Sequence, residues 1–424
     1  MPINEFLLSG GTRFLAEPIA TTKAVAIGFW FFCGSRDESA DANGITHFVE
    51  HMLFKGTSSH SARDISRFFD KTGGYCNAFT EREALCVHCL VPSLYAFEAM
   101  RLLRDMTSDS LFITSDIEAE RKVILNEIVS SLDEPEEQAA DRSFASLFPG
   151  STYSLPVAGT VESVSSLSET DLVSFWNSLV KNGPALVSVA GNFDVQQCKE
   201  LLETFGFNPS PLQISLQPEL KRFFFDFHAG YSGSYSPFSQ TQIWIASLFP
   251  MEKTSESWYA GELLACIVGD TPGSRLFQEL REKEGLCYNV FTSFLPTREG
   301  LYLISGCLVN HNAAEKTMGV LLSEFDKLRM SGINREEFDY AREHLTGDLL
   351  LSAEDTDTRM KRLARQYLYN KSVFGIDQSA GIIESLDFDC VHNISKKAFA
   401  PESMHIFTYG TKKAVRKCVK LLKC

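Results

Sequence analysis

The stretch His47-Phe48-Val49-Glu50-His51 decides how this sequence is interpreted. It has the form H-x-x-E-H, which spaces two imidazoles and one carboxylate for metal-assisted hydrolysis. The apolar residues around it recur with a helical period: Ile45, Phe48, Val49, Met52 and Leu53. Because a helix advances about 100° per residue, these side chains form one stripe, and His47, Glu50 and His51 lie opposite it. The stretch therefore predicts an amphipathic helix with a polar, metal-binding face.

His47 and His51 are candidate zinc ligands, because side chains four residues apart on a helix are neighbours, about 5–6 Å apart at Cβ. Glu50 shares their face and would act as the general base that takes a proton from a water held at the metal. Zinc lowers the pKa of such a water to roughly 7. For the motif alone, two surface histidines that fall four residues apart by chance are the alternative interpretation.

A catalytic zinc requires three protein ligands and an open position, so a third ligand must come from elsewhere in the chain. Ser115 and Glu118 form a capping-box pattern that predicts the start of a second helix. Glu120 and Glu127 are seven residues apart and share one face of it. Apolar residues flank that face: Ile117, Val123, Ile124 and Ile128. Carboxylates among apolar neighbours are costly unless paired or metal-bound, although solvated helix glutamates remain an alternative.

Together these motifs resemble the pitrilysin family of inverted zincins, which includes insulysin and the mitochondrial processing peptidase. The resemblance runs over nearly the whole chain. It implies that His47, His51 and Glu127 bind one Zn²⁺ per chain. It also implies that Glu50 is the general base and that Glu120 supports a zinc-binding histidine from behind.

Two further stretches extend the resemblance. The sequence G-G-Y-C-N-A-F-T resembles a strand whose exposed edge pairs with the substrate backbone in relatives, which implies that Asn77 and Ala78 contact substrate. From the residues alone, an ordinary hairpin strand is the alternative.

In the second half, S-R-L-F-Q-E-L-R-E-K-E-G-L-C-Y resembles a family element whose arginine and tyrosine correspond to Arg281 and Tyr288. These would orient the substrate carbonyl and stabilise the oxyanion, unless they are simply a basic helix turn and a strand tyrosine.

Composition narrows the class of protein. The chain has 44% hydrophobic and 22% charged residues, which is normal for a globular domain, and its net charge of −14 argues against a nucleic-acid partner. No apolar run reaches the roughly 20 residues of a membrane span, and no signal-peptide pattern opens the chain, so we expect a cytoplasmic protein without a membrane partner.

Of the eleven cysteines, only Cys86 and Cys89 form a C-x-x-C, within a strand-like run. This placement argues against a zinc ribbon or a redox dithiol and favours free thiols.

The order of helical and strand patterns predicts an α+β fold of two homologous α/β-sandwich modules, each an antiparallel-rich sheet with helices packed on it. We expect an N-terminal zinc-binding catalytic domain at 1–207, a Pro-bearing linker at 208–221, and a homologous C-terminal domain at 222–424 that carries the Arg–Tyr element. The resemblance implies one half of a clam-shaped peptidase. Arg281 and Tyr288 of one subunit would then complete the zinc site of another, most simply in a homodimer, or in a heterodimer with a homologous subunit.

The predicted function is a zinc-dependent endopeptidase that hydrolyses peptides or extended unfolded segments inside a dimeric chamber. A non-catalytic scaffold or peptide-binding subunit of the same family is the alternative, and a hydrolase of small non-peptide amides is a third. All the motif residues are present, which favours the enzyme: His47, Glu50, His51, Glu120, Glu127, Arg281 and Tyr288.

Overall fold

The computed structural model describes residues 3–211 and 227–422, which form two compact units. The first unit comprises the described parts of Met1–Asp133, Leu155–Leu220 and Leu351–Asp377. The second comprises the described parts of Glu134–Ser154, Lys221–Leu350 and Gln378–Cys424. The predicted domains are contiguous, whereas each unit includes a segment from the other half of the chain. Most of the predicted linker at 208–221 lies outside the described residues.

The first unit is built on a six-stranded sheet. Its strands are β1 (Asn4–Leu7), β2 (Arg13–Pro18), β3 (Ala24–Phe31), β4 (Tyr75–Thr80), β5 (Leu85–Pro92) and β6 (Leu186–Gly191). They lie in the order β1-β2-β6-β3-β5-β4, and every neighbouring pair is antiparallel except β2 with β6. Strand β4 is therefore an edge strand, hydrogen-bonded to β5 alone among the described strands.

The second unit repeats this topology with five strands. These are β7 (Gly230–Tyr235), β8 (Gln240–Leu248), β9 (Cys287–Pro296), β10 (Leu301–Asn310) and β11 (Met404–Gly410). Their order is β7-β11-β8-β10-β9, with only β7 and β11 parallel. Apart from β1, each strand has a counterpart at the same place in the first sheet. The structure thus confirms the predicted pair of homologous, antiparallel-rich modules.

Helices occupy most of the remaining described chain. In chain order they are α1 (Ile45–Met52), α2 (Ala62–Thr72), α3 (Ala96–Ser108), α4 (Thr114–Ser131), α5 (Pro135–Leu147), α6 (Val161–Ser166), α7 (Glu169–Leu179), α8 (Val195–Thr204), α9 (Ser255–Ala265), α10 (Ala314–Ser331), α11 (Arg335–Ser352), α12 (Thr356–Asn370), α13 (Ile376–Glu384), α14 (Phe388–Ala398) and α15 (Lys412–Leu422). Two segments are π-helical, Cys266–Asp270 and Phe277–Lys283. Short 3₁₀ turns span Ser35–Asp37, Ala40–Ala42, Ser93–Tyr95, Thr152–Ser154 and Pro401–Ser403. None of the described helices combines the length and apolar content needed to cross a membrane.

Both faces of the first sheet are covered, which follows from the apolar run of β3. Val25, Ile27 and Phe29 point into the core shared with α1, α3 and α4. Trp30 points to the opposite face and packs with Met360 of α12. Because successive strand residues face opposite sides, an uninterrupted apolar strand requires helices on both faces.

The two exchanged segments each supply one covering helix. Helix α12, from the second half of the chain, packs on the first sheet through Met360, Leu363 and Leu368. Helix α5, from the first half, belongs to the second unit, where Ala139 packs with Phe407 and Tyr409 of β11. The predicted contiguous domains at 1–207 and 222–424 did not include this exchange.

One local prediction was wrong. The capping box expected from Ser115 and Glu118 is not used: α4 begins at Thr114, with Ile113 as its N-cap and no capping side chain. Asp116 in the first turn still places negative charge near the positive end of the helix dipole. The predicted helix is present, but it starts two residues earlier than the capping-box pattern indicated.

Candidate metal centre

Helix α1 carries the H-x-x-E-H residues. The buried carboxylate of Glu38 accepts hydrogen bonds from the backbone at the start of this helix. Glu38 Oε2 accepts hydrogen bonds from the Gly44 N–H (2.7 Å) and Asn43 Nδ2 (3.0 Å), and Oε1 accepts one from the Thr46 N–H (2.9 Å). Gly44 has φ of 91°, and a Cβ there would lie 2.7 Å from the Ala158 carbonyl oxygen, so only glycine fits this entry. These contacts fix where the helix begins.

Packing of the apolar stripe then fixes the rotation of α1. Phe48, Val49 and Met52 are fully buried in the core of the first unit. The opposite face therefore carries His47 and His51, whose ring centroids are 4.7 Å apart. The predicted amphipathic helix and its polar face are confirmed, and Leu53, the last residue of the predicted apolar stripe, is the C-cap.

Helix α4 brings the third candidate ligand to the two histidines. Glu127 Oε1 lies 3.8 Å from His47 Nε2, and Glu127 Oε2 lies 3.7 Å from His51 Nε2. One ligand atom from each of the three residues falls within 4.8 Å of the others, the only such group of three or more found in the described chain. Two nitrogens and one oxygen at this spacing fit a zinc ion with ligand distances of about 2.0–2.2 Å.

Glu120 orients one of these imidazoles. Its Oε2 is 3.0 Å from His51 Nδ1, which leaves His51 Nε2 facing Glu127. The Lys55 ammonium lies 2.5 Å from the other oxygen, Oε1. Although partial burial raises the pKa of Glu120, the hydrogen bonds from Lys55 and His51 outweigh this effect and hold the pKa below its ordinary value. An ionised Glu120 accepts a hydrogen bond from the Nδ1–H of His51 and thereby keeps the Nε2 lone pair available to a metal.

His47 is also held in the form that binds metal. Burial, reinforced by the neighbouring His51, lowers the pKa of His47 to about 4. Its imidazole is therefore neutral around pH 7, as a zinc ligand must be. His47 Nε2 is turned toward the cluster, 3.8 Å from Glu127 Oε1. His47 Nδ1 is buried and has no hydrogen-bond partner among the described residues.

Glu50 is half-buried beside the cluster. Burial raises the pKa of Glu50, against the opposing effect of a hydrogen bond from Thr80. That bond joins Thr80 Oγ1 to Glu50 Oε2 at 2.5 Å. A carboxylate whose pKa moves upward toward the working pH is a better proton acceptor for general base catalysis.

The predicted substrate contacts lie on the edge strand beside this group. Asn77 is exposed and its Oδ1 accepts a hydrogen bond from the Ala78 N–H at 2.9 Å, whereas Ala78 itself is buried. Both residues are on β4, two or three positions before Thr80. Asn77 and Ala78 therefore belong to the same strand that reaches the candidate base.

Arg281 and Tyr288 belong to the second unit, whereas the histidines belong to the first. Arg281 sits in the π-helical segment, and its guanidinium lies 5.0 Å from the Tyr288 ring centroid and 4.7 Å from that of Phe277. Tyr288, at the start of β9, is 84% exposed. The structure thus brings Arg281 and Tyr288 to one another and presents the tyrosine on the surface.

Cys86 and Cys89 are free, buried thiols on β5, in agreement with the sequence-based interpretation. Their side chains point to opposite faces of the sheet, Cys89 into the core beside α1 and Cys86 into the core beside α12. A shared metal or a redox dithiol is thereby excluded for this pair.

Three residues of the site received no role from the sequence: Glu38, Lys55 and Thr80. Thr80 is the last residue of the G-G-Y-C-N-A-F-T stretch, whereas Glu38 and Lys55 stand shortly before and after α1. Lys55 and Thr80 act through contacts between segments distant in sequence, so spacing alone gave no signal for their partners. Glu38 instead acts on the nearby start of α1, through hydrogen bonds with Asn43, Gly44 and Thr46.

Comparison with known proteins is consistent with this geometry. The family model described as "Insulinase (Peptidase family M16)" matches residues 13–161, and that described as "Peptidase M16 inactive domain" matches residues 166–345. An uncharacterized zinc protease of Mycobacterium leprae is 30% identical over 98% of this chain and 94% of its own length. The chain belongs to peptidase family M16. Another member, the uncharacterized zinc protease YmxG of Bacillus subtilis, is 28% identical over 94% of this chain and 96% of its own.

Solved structures agree on the M16 fold. A protein from Pseudomonas fluorescens, described as a peptidase M16 inactive domain, superposes with a TM-score of 0.87 at 18% identity, covering 97% of this chain and 99% of its own. A protease from Helicobacter pylori gives a TM-score of 0.84 at 17% identity, covering 96% and 99%. The M16 relatives named as zinc proteases indicate zinc as the metal of this family, and the donor set of His47, His51 and Glu127 fits that ion.

Proposed function

We propose that this M16 protein is a zinc-dependent endopeptidase that hydrolyses peptides or extended unfolded segments. The proposal is carried by the convergence of His47, His51 and Glu127 from two helices, next to a half-buried Glu50. A structural zinc site would use a fourth protein ligand, whereas this group offers three and leaves one position open. Zinc, when bound, supplies Lewis acidity that polarises a peptide carbonyl and makes water a better acid.

Glu50 is the proposed general base. Thr80 engages Oε2 of its carboxylate, and Oε1 has no hydrogen bond from the rest of the described chain. Oε1 is therefore the oxygen that accepts a proton from the attacking water and later passes it to the leaving amine. The partial burial of Glu50 favours both steps, because it brings the basicity of the carboxylate closer to that of the groups it exchanges protons with.

An extended backbone is the proposed substrate class. The free edge of β4 offers main-chain donors and acceptors next to the candidate base, and an added strand would pair with them whatever its side chains. A segment held inside a folded domain cannot lie along this edge as an added strand unless it unfolds, and a small amide is too short to pair along it. Asn77 and Ala78 are the proposed contacts.

We further propose that the working enzyme is a dimer with composite sites. Arg281 and Tyr288 lie in the second unit, and Tyr288 is exposed without a burying neighbour in the described chain. A guanidinium and a phenol can donate hydrogen bonds to a developing oxyanion, and a second copy of the chain could supply them. A homodimer is the simplest form, and a heterodimer with a homologous subunit would serve the same purpose.

The test is cleavage of a quenched-fluorescent peptide library by the purified protein, with and without a zinc chelator, beside Glu50→Gln. We expect chelator-sensitive cleavage that Glu50→Gln loses by a factor of at least about 100, since general base catalysis contributes about 10²–10⁴. Bound zinc should be equal in both proteins, because the ligands are unchanged. Zinc binding without any cleavage would instead favour a peptide-binding role or a missing partner subunit.

A further inference from the structure

Strand β4 contacts the candidate base directly. Thr80, its last residue, donates a hydrogen bond from Oγ1 to Glu50 Oε2 at 2.5 Å. We infer that Thr80 is a positioning residue for Glu50, so that one strand both pairs with the substrate and orients the base. The inference rests on the proposed function and adds a residue to it.

Strand geometry explains why Thr80 reaches α1. Cys76, Ala78 and Thr80 alternate with residues of the other face, and they pair with Cys89, Val87 and Leu85 of β5. All three partners belong to the core that includes α1. The Thr80 side chain therefore points toward α1 and Glu50, whereas Asn77 and Phe79 point to the side of α12.

The hydroxyl does more than fill space at this position. An O–H donor to an ionised carboxylate is a charge-assisted bond, shorter and stronger than a neutral one. It fixes the carboxylate plane, because one oxygen is bound and the other is directed away from it. Without the donor, Glu50 could rotate about its side-chain bonds, and the half-buried site offers no other described partner for Oε2.

The same contact links the base to the substrate-pairing edge. Asn77 and Ala78 stand two to three residues before Thr80 on one continuous strand, with no loop between them. A peptide that pairs with this edge is therefore placed relative to Glu50 by the rigid backbone of β4. Catalysis is sensitive to displacements of about 1 Å in such an arrangement, so the shared strand removes one source of misplacement.

Two substitutions separate the hydroxyl from the shape of the side chain. Thr80→Val keeps the branched shape and removes the donor, while Thr80→Ser keeps the donor and loses a methyl group. Thr107→Val is the matched control, since the fully buried Thr107 also donates a hydrogen bond, to the Leu103 carbonyl, away from the site. Zinc content and thermal midpoint are measured for each variant to verify that the fold is retained.

We expect Thr80→Val to lower kcat by about 10- to 100-fold, a part of the total contribution of a general base, with KM changed by less than about twofold. Thr80→Ser should recover kcat to within about threefold of the parent, and Thr107→Val should leave it unchanged. In the Glu50→Gln background, Thr80→Val should cause no further loss, because the hydroxyl acts only through Glu50. Equal effects of Thr80→Val in both backgrounds would overturn the inference.

Crystal structures of the zinc-loaded variants give a readout that does not depend on activity. The Glu50 carboxylate should keep its orientation in Thr80→Ser and should turn, or occupy two positions, in Thr80→Val. An unchanged Glu50 in Thr80→Val would refute the positioning role. If the parent protein cleaves no peptide, the proposed function fails, and the orientation of Glu50 still decides whether Thr80 holds it.

Discussion

The Lys55 ammonium lies 2.5 Å from Glu120 Oε1, while Oε2 of the same carboxylate is 3.0 Å from His51 Nδ1. Lys55 follows the last residue of the H-x-x-E-H motif by only four residues, yet it contacts a glutamate from another helix. The ion pair keeps Glu120 charged and fixed behind a candidate zinc ligand. A positive charge that contacts no ligand itself thus supports the metal centre.

Lys55→Met should weaken zinc binding. Removing a group that orients a ligand typically costs about 10–100-fold in metal affinity, and Lys55 acts through Glu120, so we expect about 3- to 10-fold. Zinc affinity is measured by competition with a chromophoric chelator. Lys122→Met, on the exposed side of α4, is the control and should leave affinity unchanged. Equal affinity in Lys55→Met and the parent would show that Glu120 holds His51 without help.

Glu127→Gln should lose zinc during dialysis while the fold persists. The side chain of Glu127 is 52% exposed, so its replacement leaves no buried cavity or unpaired buried charge. An amide is a much poorer zinc ligand than a carboxylate, and we expect at least about tenfold weaker binding.

The metal content after dialysis, measured by atomic emission, checks this expectation. Glu118→Gln is the matched variant, since Glu118 is on the same helix and pairs with Arg121 outside the cluster. Full zinc retention by Glu127→Gln would remove Glu127 from the ligand set, and a residue other than Glu127 would then have to be the third ligand.

Mixing Glu50→Gln with Arg281→Ala should restore activity if sites are composite across a homodimer. After random subunit exchange, half of the dimers are mixed, and each mixed dimer has one intact site, so roughly a quarter of the parent activity returns. The activity of the mixture is compared with that of each variant alone. Mixing Glu50→Gln with Glu127→Gln restores nothing under the same scheme, because both changes fall in the first unit. Absence of recovery despite demonstrated exchange would argue for sites complete within one chain.

Glu38 should make the stability of the metal-free protein depend on pH. Burial raises the pKa of Glu38 to about 7 from an ordinary 4.5, despite its hydrogen bonds to the start of α1. Between these values the folded state binds a proton that the unfolded state has released, so the free energy of unfolding falls as pH rises. A shift of this size corresponds to about 3 kcal/mol at most between pH 5 and pH 8.

Glu38→Gln isolates this contribution, because the amide keeps a carbonyl acceptor but does not titrate. His47 acts in the opposite direction: its pKa, lowered to about 4 from 6.5, makes stability increase as pH rises through that range. The free energy of unfolding in urea is therefore measured for both proteins, in chelator, at pH 5 and at pH 8. The change between the two pH values in the parent is then compared with the change in Glu38→Gln. The parent should lose more stability than Glu38→Gln over this interval, and identical changes would contradict the raised pKa.

The local elements of the site were predictable from sequence because they depend on periodicity. The apolar stripe around Phe48 and Val49 determined both the helix and the face that carries His47 and His51. The seven-residue spacing of Glu120 and Glu127 placed both carboxylates on one side of α4. The choice of Glu127 as third ligand came from family resemblance, since spacing on one helix says nothing about which other helix it meets.

By itself, the sequence determined which segments are helices and strands around the site, because hydrophobic periodicity depends only on the order of apolar and polar residues within each segment. Only the tertiary structure decided that α5 and α12 exchange between units. It also decided that Lys55 forms an ion pair with Glu120 and that Thr80 donates a hydrogen bond to Glu50. These relationships join residues far apart in the chain, and they arise from how buried faces pack. Packing of this kind depends on the shape and register of whole elements, which no local pattern contains.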